Sequence, residues 1–179
     1  FAGYPQYASA PGPYVIPTDY HFTAAAFDPT RASVYTFIDR FVGEMSTLFP
    51  DRYWHVGGDE VDAKAWETRP AIRRYMRRHK MKDAPALQAY FNRRLARILT
   101  AHNKRMVGWD EILHPDLPHT VIVQSWRGQA SLGEGAKAGF TGILSAGYYL
   151  DAMSTAAQHY TVDPLPNGTD LDSAQAARI

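Results

Sequence analysis

The chain has 179 residues, 45% hydrophobic and 21% charged, which is enough for one folded domain with its own core. A net charge of +1 gives no support for a polyanionic partner such as nucleic acid. The absence of cysteine excludes disulfides, a thiol nucleophile and a cysteine-based zinc site. The sequence contains no run of 18 apolar residues, so it predicts no membrane-spanning helix.

The first 30 residues are rich in Pro, Gly and Tyr and predict a long irregular segment. Asp28-Pro29 then opens a helix that ends at Pro50, with apolar residues at helical spacing between them. We treat residues 31–179 as the α/β portion of a single domain.

Strands and helices alternate in the rest of the chain. Helices are expected from Trp66 through Met76, after Pro85, and over Gly133–Gly139. Short aromatic and β-branched runs predict four strands: Tyr53–Gly58, Arg105–Trp109, Thr120–Trp126 and Gly142–Leu150. This alternation predicts an α/β fold with a parallel sheet.

Each predicted strand ends in polar or aromatic residues. The four ends are Asp59-Glu60, Trp109-Asp110-Glu111, Gln124-Ser125-Trp126 and Tyr148-Tyr149-Leu150-Asp151. In parallel sheets the functional residues gather at the carboxyl ends of strands. The pattern therefore predicts one site lined by carboxylates and aromatic rings.

Asp59 and Glu60 can both reach a ligand only where their strand ends, because neighbouring residues in a strand point to opposite faces. Gly57-Gly58 permits the unusual backbone angles that such an ending needs. Hydrolysis of a glycosidic bond requires a proton donor and a group that stabilises positive charge at the anomeric carbon. The residues alone leave catalysis balanced against a helix N-cap at Asp59 and a surface salt bridge at Glu60.

A metal site is not favoured. His55 has no second histidine at ligand spacing, so we expect a hydrogen-bonded core histidine at this position. The basic cluster of residues 73–82 is interpreted as a solvated helix face and not as a phosphate or membrane site. The aromatic content of 13% fits either a large core or a sugar site.

The run His55-Val56-Gly57-Gly58-Asp59-Glu60-Val61 resembles the H-x-G-G-D-E signature of glycoside hydrolase family 20, the β-N-acetylhexosaminidases. Trp66 follows at the distance typical of that family. Gly108-Trp109-Asp110-Glu111, Gln124-Ser125-Trp126 and Gly147-Tyr148-Tyr149-Leu150-Asp151 are similar to later strand ends of the family.

The resemblance implies strands four to seven of a (β/α)8 barrel that removes terminal β-linked N-acetylglucosamine or N-acetylgalactosamine. It implies retaining hydrolysis in which the acetamido oxygen of the substrate attacks the anomeric carbon and forms an oxazolinium intermediate. In this scheme Glu60 is the general acid and base, and Asp59 orients the acetamido nitrogen. No metal or organic cofactor is implied.

The same resemblance implies further roles at the other strand ends. Tyr149 would donate to the acetamido oxygen, Trp109 and Trp126 would wall the pocket, and Asp151 would bind sugar hydroxyls. His55, Asp110 and Glu111 would order the surroundings of the pocket. By strand alternation, Tyr148 is expected to face the helix layer.

The chain also departs from the family pattern. A complete barrel takes about 250 residues, and the Arg and the Asp/His pair of the family's early strands are not found here. We therefore expect the rest of the barrel to come from a longer chain or a partner piece. The partner of the site would be an N-acetylhexosamine-terminated oligosaccharide or glycoconjugate.

Two other functions stay open at this point. One is an inactive fragment or a non-catalytic, sugar-binding half barrel, and the other is a barrel glycosidase with a protein nucleophile. The compartment is unknown, with the periplasm or the exterior of a bacterium favoured over the cytoplasm.

Overall fold

The structure is a computed structural model that describes residues 1–16, 18, 25–165 and 169–179. Residues 17 and 19–24 of the predicted irregular segment lie outside the described residues. The chain divides into two compact units, which we describe separately. The first contains Phe1–Pro50 and Glu60–His102, and the second contains Asp51–Asp59 and Asn103–Ile179.

The first unit is helical. Its helices are α1 (Ala32–Leu48), α2 (Lys64–Thr68), α3 (Pro70–Arg78) and α4 (Ala84–Ala101), preceded by a 3-10 turn at Pro5–Tyr7. Helix α1 buries Val34 and Val42 and packs against α4, as its apolar stripe predicted. Asp28 precedes α1 and accepts a hydrogen bond from the backbone N–H of Thr30 (3.0 Å).

The single helical stretch expected from Trp66 to Met76 is wrong, because the chain forms two helices there. Arg69 separates α2 from α3 and has extended backbone angles (φ −74°, ψ 123°). A residue before proline is sterically disfavoured in the helical region, which explains the break before Pro70. Trp66, Ile72 and Met76 still share one buried cluster.

The basic face of α3 is solvated, as expected. Arg73, Arg74, Arg77 and Arg78 are all exposed, while Ile72 and Met76 on the other side of the helix are buried. Among the described residues no helix is both long enough and apolar enough to cross a membrane.

The second unit is built on a four-stranded parallel sheet, which confirms the predicted α/β fold. Its strands are β1 (Tyr53–His55), β2 (Arg105–Trp109), β3 (Ile122–Ser125) and β4 (Thr141–Leu144). They pair in the order β1-β2-β3-β4. All four carboxyl ends therefore lie at one edge of the sheet.

Three helices complete the second unit: α5 (Gln129–Lys137), α6 (Ala156–Tyr160) and α7 (Ser173–Ala176). Helix α5 packs on β3 and β4 and buries Leu132. It begins four residues before the predicted Gly133, because Gly128 acts as its N-cap with a left-handed φ of 122°.

Three strands are shorter than predicted, and the first of them, predicted as Tyr53–Gly58, ends at His55. The prediction of Thr120–Trp126 extends beyond β3 at both ends, and the prediction of Gly142–Leu150 extends well past the end of β4 at Leu144. A turn ends the extended chain, in which the N–H of Tyr148 donates to the carbonyl of Ser145 (3.0 Å) and Gly147 has φ 83°. Tyr149 and Asp151 therefore belong to a loop.

Candidate active site

The turn after β1 brings the backbone of Gly57 against β2. The N–H of Trp109 donates to the carbonyl of Gly57 (3.0 Å), and the N–H of Val56 donates to the carbonyl of Val107 (2.9 Å). Gly57 and Gly58 have φ values of 72° and 105°, conformations that glycine adopts without steric cost. These contacts fix the peptide that leads directly into Asp59.

Glycine at position 108 leaves room for this close approach. A Cβ atom there would lie 2.6 Å from Cδ1 of Ile112 and 3.0 Å from the carbonyl oxygen of Gly57. The first distance is shorter than real Cβ contacts allow, and the second would press on backbone that is itself hydrogen-bonded. Gly108 therefore lets the turn after β1 sit close to β2.

His55 contacts the same turn. Its Nδ1 accepts a hydrogen bond from the N–H of Gly57 (3.0 Å), and its ring meets Trp109 edge to face at a centroid distance of 4.8 Å. The prediction of a hydrogen-bonded histidine is confirmed, but the core location is wrong because the residue is exposed at the end of the short β1. Partial burial of the ring lowers the pKa of His55, and the charge of Asp59 opposes that effect.

Asp59 and Glu60 are both exposed, and neither side chain forms a hydrogen bond or ion pair within the described part of the chain. Among the described residues, Asp59 therefore does not cap a helix and Glu60 does not form a surface salt bridge, the two alternatives considered from the sequence. Helix α2 has Ala63 at its N-cap position, and Asp62, not Asp59, accepts from the N–H of Lys64 (2.9 Å).

The backbone of Glu60 is unusual. Its φ is 46°, in the left-handed region that residues with a side chain rarely adopt. Such conformations cost free energy and are concentrated at functional sites. The boundary between the two units falls at the peptide bond that joins Asp59 to Glu60.

Asp110 follows β2 and is buried, with a relative exposure of 1%. Its carboxylate accepts from the hydroxyl of Ser131, lies 3.1 Å from the hydroxyl of Ser125, and pairs with Nε of Arg127 at 3.1 Å. Burial alone would raise the pKa of Asp110, but the bond from Ser131 and the bond and charge of Arg127 outweigh it and lower the pKa. The charge is thus held inside the fold.

Glu111 is the next residue, and it binds the indole of Trp126. The Nε1–H group of Trp126 lies 2.9 and 3.0 Å from the two carboxylate oxygens of Glu111. Burial raises the pKa of Glu111, the hydrogen bond from Trp126 opposes this rise, and the neighbouring Asp110 adds to it. The ends of β2 and β3 are therefore joined through a side chain of the predicted site.

The loop after β4 carries Tyr149 and Asp151, both exposed and without a side-chain hydrogen bond among the described residues. The prediction that Tyr148 faces a helix layer is wrong, because strand alternation does not extend into a loop. Tyr148 is exposed, and its hydroxyl donates to the carbonyl of Val162 (3.0 Å).

Two residues that contact the candidate site, Arg127 and Ser131, were not predicted from the sequence. Arg127 and Ser131 hold Asp110, yet neither belongs to a strand-end motif. Asp110 itself was the signal that could have indicated such partners, because a carboxylate at a buried position needs a cation or hydroxyl donors nearby. Among the described residues, no three His, Asp or Glu side chains are grouped to hold a metal ion.

In the second unit, the exposed Asp59 and the half-buried Trp109 and Trp126 lie at or just after the carboxyl ends of parallel strands, where functional residues gather in such sheets. The profile of glycosyl hydrolase family 20, catalytic domain, matches residues 2–176. The chain therefore belongs to glycosyl hydrolase family 20.

Individual relatives agree with this assignment. A beta-hexosaminidase of Porphyromonas gingivalis is 34% identical over 166 residues, which cover 91% of this chain and 20% of the relative. A crystal structure of a Flavobacterium johnsoniae chitobiase is 37% identical, with a TM-score of 0.92 over 98% of this chain and 28% of that one.

A third relative was solved with a sugar bound. It is an exo beta-N-acetylglucosaminidase of Vibrio harveyi in complex with N-acetylglucosamine, 30% identical, with a TM-score of 0.63 over 69% of this chain and 20% of that one. The chain thus spans between a fifth and a third of the length of the relatives described here.

Proposed function

We propose that this chain is part of an exo-acting β-N-acetylhexosaminidase that removes terminal β-linked N-acetylglucosamine or N-acetylgalactosamine. Its four parallel strands would be the fourth to seventh of a (β/α)8 barrel, with the other strands supplied by a longer chain or a partner piece. Membership of glycosyl hydrolase family 20 supports this proposal, as do relatives named beta-hexosaminidase and chitobiase.

The main support for the proposal is that the predicted catalytic carboxylates form no hydrogen bonds with other described residues. Asp59 and Glu60 are exposed and make no side-chain hydrogen bonds within the described residues, whereas Asp110 accepts from two serine hydroxyls and Glu111 accepts from the indole of Trp126. A group that already has protein partners must lose them before it contacts a substrate. Asp59 and Glu60 are free to bind one.

The first half of the reaction forms the intermediate. The carbonyl oxygen of the substrate's 2-acetamido group attacks the anomeric carbon as the glycosidic bond breaks. Glu60 gives its proton to the departing oxygen, and Asp59 accepts a hydrogen bond from the acetamido N–H, which becomes more positive. The product of this step is an oxazolinium ion with the departed alcohol or sugar released.

The second half reverses the proton transfer. The Glu60 carboxylate takes a proton from water, and the resulting hydroxide equivalent adds to the anomeric carbon and reopens the ring. The sugar leaves with its β configuration retained and its acetamido group restored. Glu60 regains its proton, so the cycle closes without a cofactor.

The remaining predicted residues would bind the sugar. Tyr149 would donate its hydroxyl to the acetamido oxygen and align it, Asp151 would accept from sugar hydroxyls, and Trp109 and Trp126 would enclose the acetyl methyl. The exposure of Tyr149 and Asp151 supports these roles, and so does the position of both tryptophans at strand ends.

The test is an assay of the full-length protein on chromogenic β-N-acetylglucosaminide and β-N-acetylgalactosaminide, with the Asp59→Asn, Glu60→Gln double variant as the control for contaminating activity. We expect turnover of at least one substrate by the wild type and its loss in the control. Sugar binding without turnover would favour the alternative of a non-catalytic sugar-binding protein.

A further inference from the structure

Glu111 holds Trp126 in a way that the proposed reaction does not use. Its two carboxylate oxygens bracket the indole N–H group at 2.9 and 3.0 Å, from a residue that follows β2 to one that follows β3. The geometry points to Glu111 as a positioning residue, which fixes the orientation of the Trp126 ring and thereby the shape of the sugar pocket. The identity of the ligand rests on the proposed function.

The contact is well suited to orient a ring. An indole has a single donor and no acceptor, so one hydrogen bond defines which edge of the ring faces the protein. A carboxylate acceptor makes that bond stronger than a neutral acceptor would. Trp126 is only half-buried, so packing alone leaves part of its ring unconstrained.

Glu111 is itself held in place by its neighbour. Asp110 and Glu111 lie in a 3-10 turn at Asp110–Ile112, and the buried Asp110 carboxylate contacts Ser125 on β3 and Ser131 on α5. The turn is therefore attached to both elements that flank Trp126. Because this backbone is held in place, the Glu111 side chain can fix the position of the Trp126 indole.

The charged groups around Glu111 make its ionisation observable at the indole. Asp110 lies beside it, and Arg127 pairs with Asp110, while the charged residues of α5, Glu134 and Lys137, are exposed. Strand β3 contains no charged residue, and β2 has only Arg105, at the end remote from Glu111. The ionised form of Glu111 is the better acceptor, so the indole proton should respond as this carboxyl titrates.

The experiment follows the indole N–H resonance of Trp126 by NMR in full-length protein labelled with 15N-tryptophan, across pH. Trp126→Phe assigns the signal by its loss. In the wild type we expect a downfield resonance that titrates with a midpoint above the usual range of a glutamate. Glu111→Gln keeps an acceptor oxygen but should abolish the titration, and Glu111→Leu should move the resonance upfield.

The second readout is the dissociation constant for N-acetylglucosamine. We expect Glu111→Leu to weaken binding by about tenfold, the loss of roughly one hydrogen bond, and Glu111→Gln to retain most of the affinity. Glu134→Gln and Glu134→Leu, which change an exposed glutamate of α5, are the matched controls and should alter neither readout.

Each outcome bears on the inference separately from the proposed function. A Trp126 resonance that is indifferent to Glu111→Leu and to pH would overturn the inference, and so would unchanged sugar affinity in Glu111→Leu. If that variant fails to fold, Glu111→Gln is the test: loss of the titration supports the inference, and survival of the titration overturns it. If the resonance behaves as expected while wild type binds no N-acetylhexosamine, Glu111 still positions Trp126 and the proposed function fails.

Discussion

The acidic side chains near the ends of β1 and β2 differ in what their oxygens contact. Asp110 and Glu111 are bonded to hydroxyl, guanidinium and indole donors of the protein itself. Asp59 and Glu60 have no such partners among the described residues. Bonded carboxylates stabilise the shape of a site, while free carboxylates can bind and protonate a substrate. This difference supports the separate roles that we propose for four acids, which the sequence places in two adjacent pairs.

The sequence points to these acids as candidates but not to all of their partners. The motif from His55 to Val61 indicated Asp59 and Glu60, and its glycines indicated the left-handed turn that is observed. The ion pair between Asp110 and Arg127 was not predicted, because it depends on where β3 ends and how the following loop turns. The exposure of His55 was missed because β1 is only three residues long.

In the proposed reaction the leaving oxygen receives its proton from Glu60, and replacement of Glu60 by glutamine removes that proton. We expect kcat/KM to fall by about 10²- to 10⁴-fold for substrates with poor leaving groups, in line with the usual contribution of general acid catalysis. Aryl glycosides with acidic phenols should lose much less in kcat/KM, because their leaving groups need little protonation. A series of aryl β-N-acetylglucosaminides of graded phenol acidity measures this difference.

The matched control is Glu67→Gln, which changes an exposed glutamate of α2. It should leave kcat/KM unchanged across the series. Equal losses for good and poor leaving groups in Glu60→Gln would show that Glu60 does not donate the proton.

At the level of elements, the turn after β1 and the strand β2 depend on each other. The carbonyl of Gly57 accepts from Trp109, and Gly108 leaves the space for that approach. Strand β2 was predicted with the bounds that it has, because a short apolar run ends at an acidic pair. Strand β4 was predicted too long, because Tyr148, Tyr149 and Leu150 suit a strand but follow a glycine turn.

Substitution of Gly108 by alanine tests this dependence. The added methyl would press on Ile112 and on the Gly57 carbonyl, so we expect the free energy of unfolding to fall by about 1–3 kcal/mol, the usual cost of overpacking. Urea unfolding of the variant and the wild type measures the difference. Activity should fall as well, because the displaced peptide leads into Asp59.

Gly135→Ala is the control for this substitution. Gly135 lies within α5, and a Cβ atom there would meet nothing within 4 Å. Alanine should therefore stabilise the protein by about 0.5–1 kcal/mol through its better helix propensity. If Gly108→Ala were as stable as the wild type, the tight approach of β2 to the turn would be refuted.

At the scale of the whole molecule, the proposed barrel rests on the four-stranded sheet. Within the described residues, β1 and β4 each pair with one strand only, while β2 and β3 pair on both sides. A closed barrel leaves no strand edge unpaired. The proposed barrel therefore needs further strands beside β1 and β4, and the greater length of the relatives agrees with that.

The alternation of helices and strands predicted the parallel sheet, but the proposed closure into a barrel cannot be derived from that alternation. A closed barrel needs more strands than the four found among the described residues. It also depends on strand tilt and register, which no local sequence pattern encodes. The order of the strands in space follows their order in the chain, which is the arrangement that successive βα units produce.

The most direct test of the central claim is the inhibition constant of a thiazoline that mimics the oxazolinium intermediate. For wild-type full-length protein it should lie about a hundredfold or more below the inhibition constant of N-acetylglucosamine, as expected for an analogue of a reactive species. Asp59→Asn should remove most of that advantage, whereas Asp62→Asn, at an exposed aspartate three residues later, should keep it. A thiazoline that binds the wild type no better than the free sugar would contradict attack by the substrate's own amide.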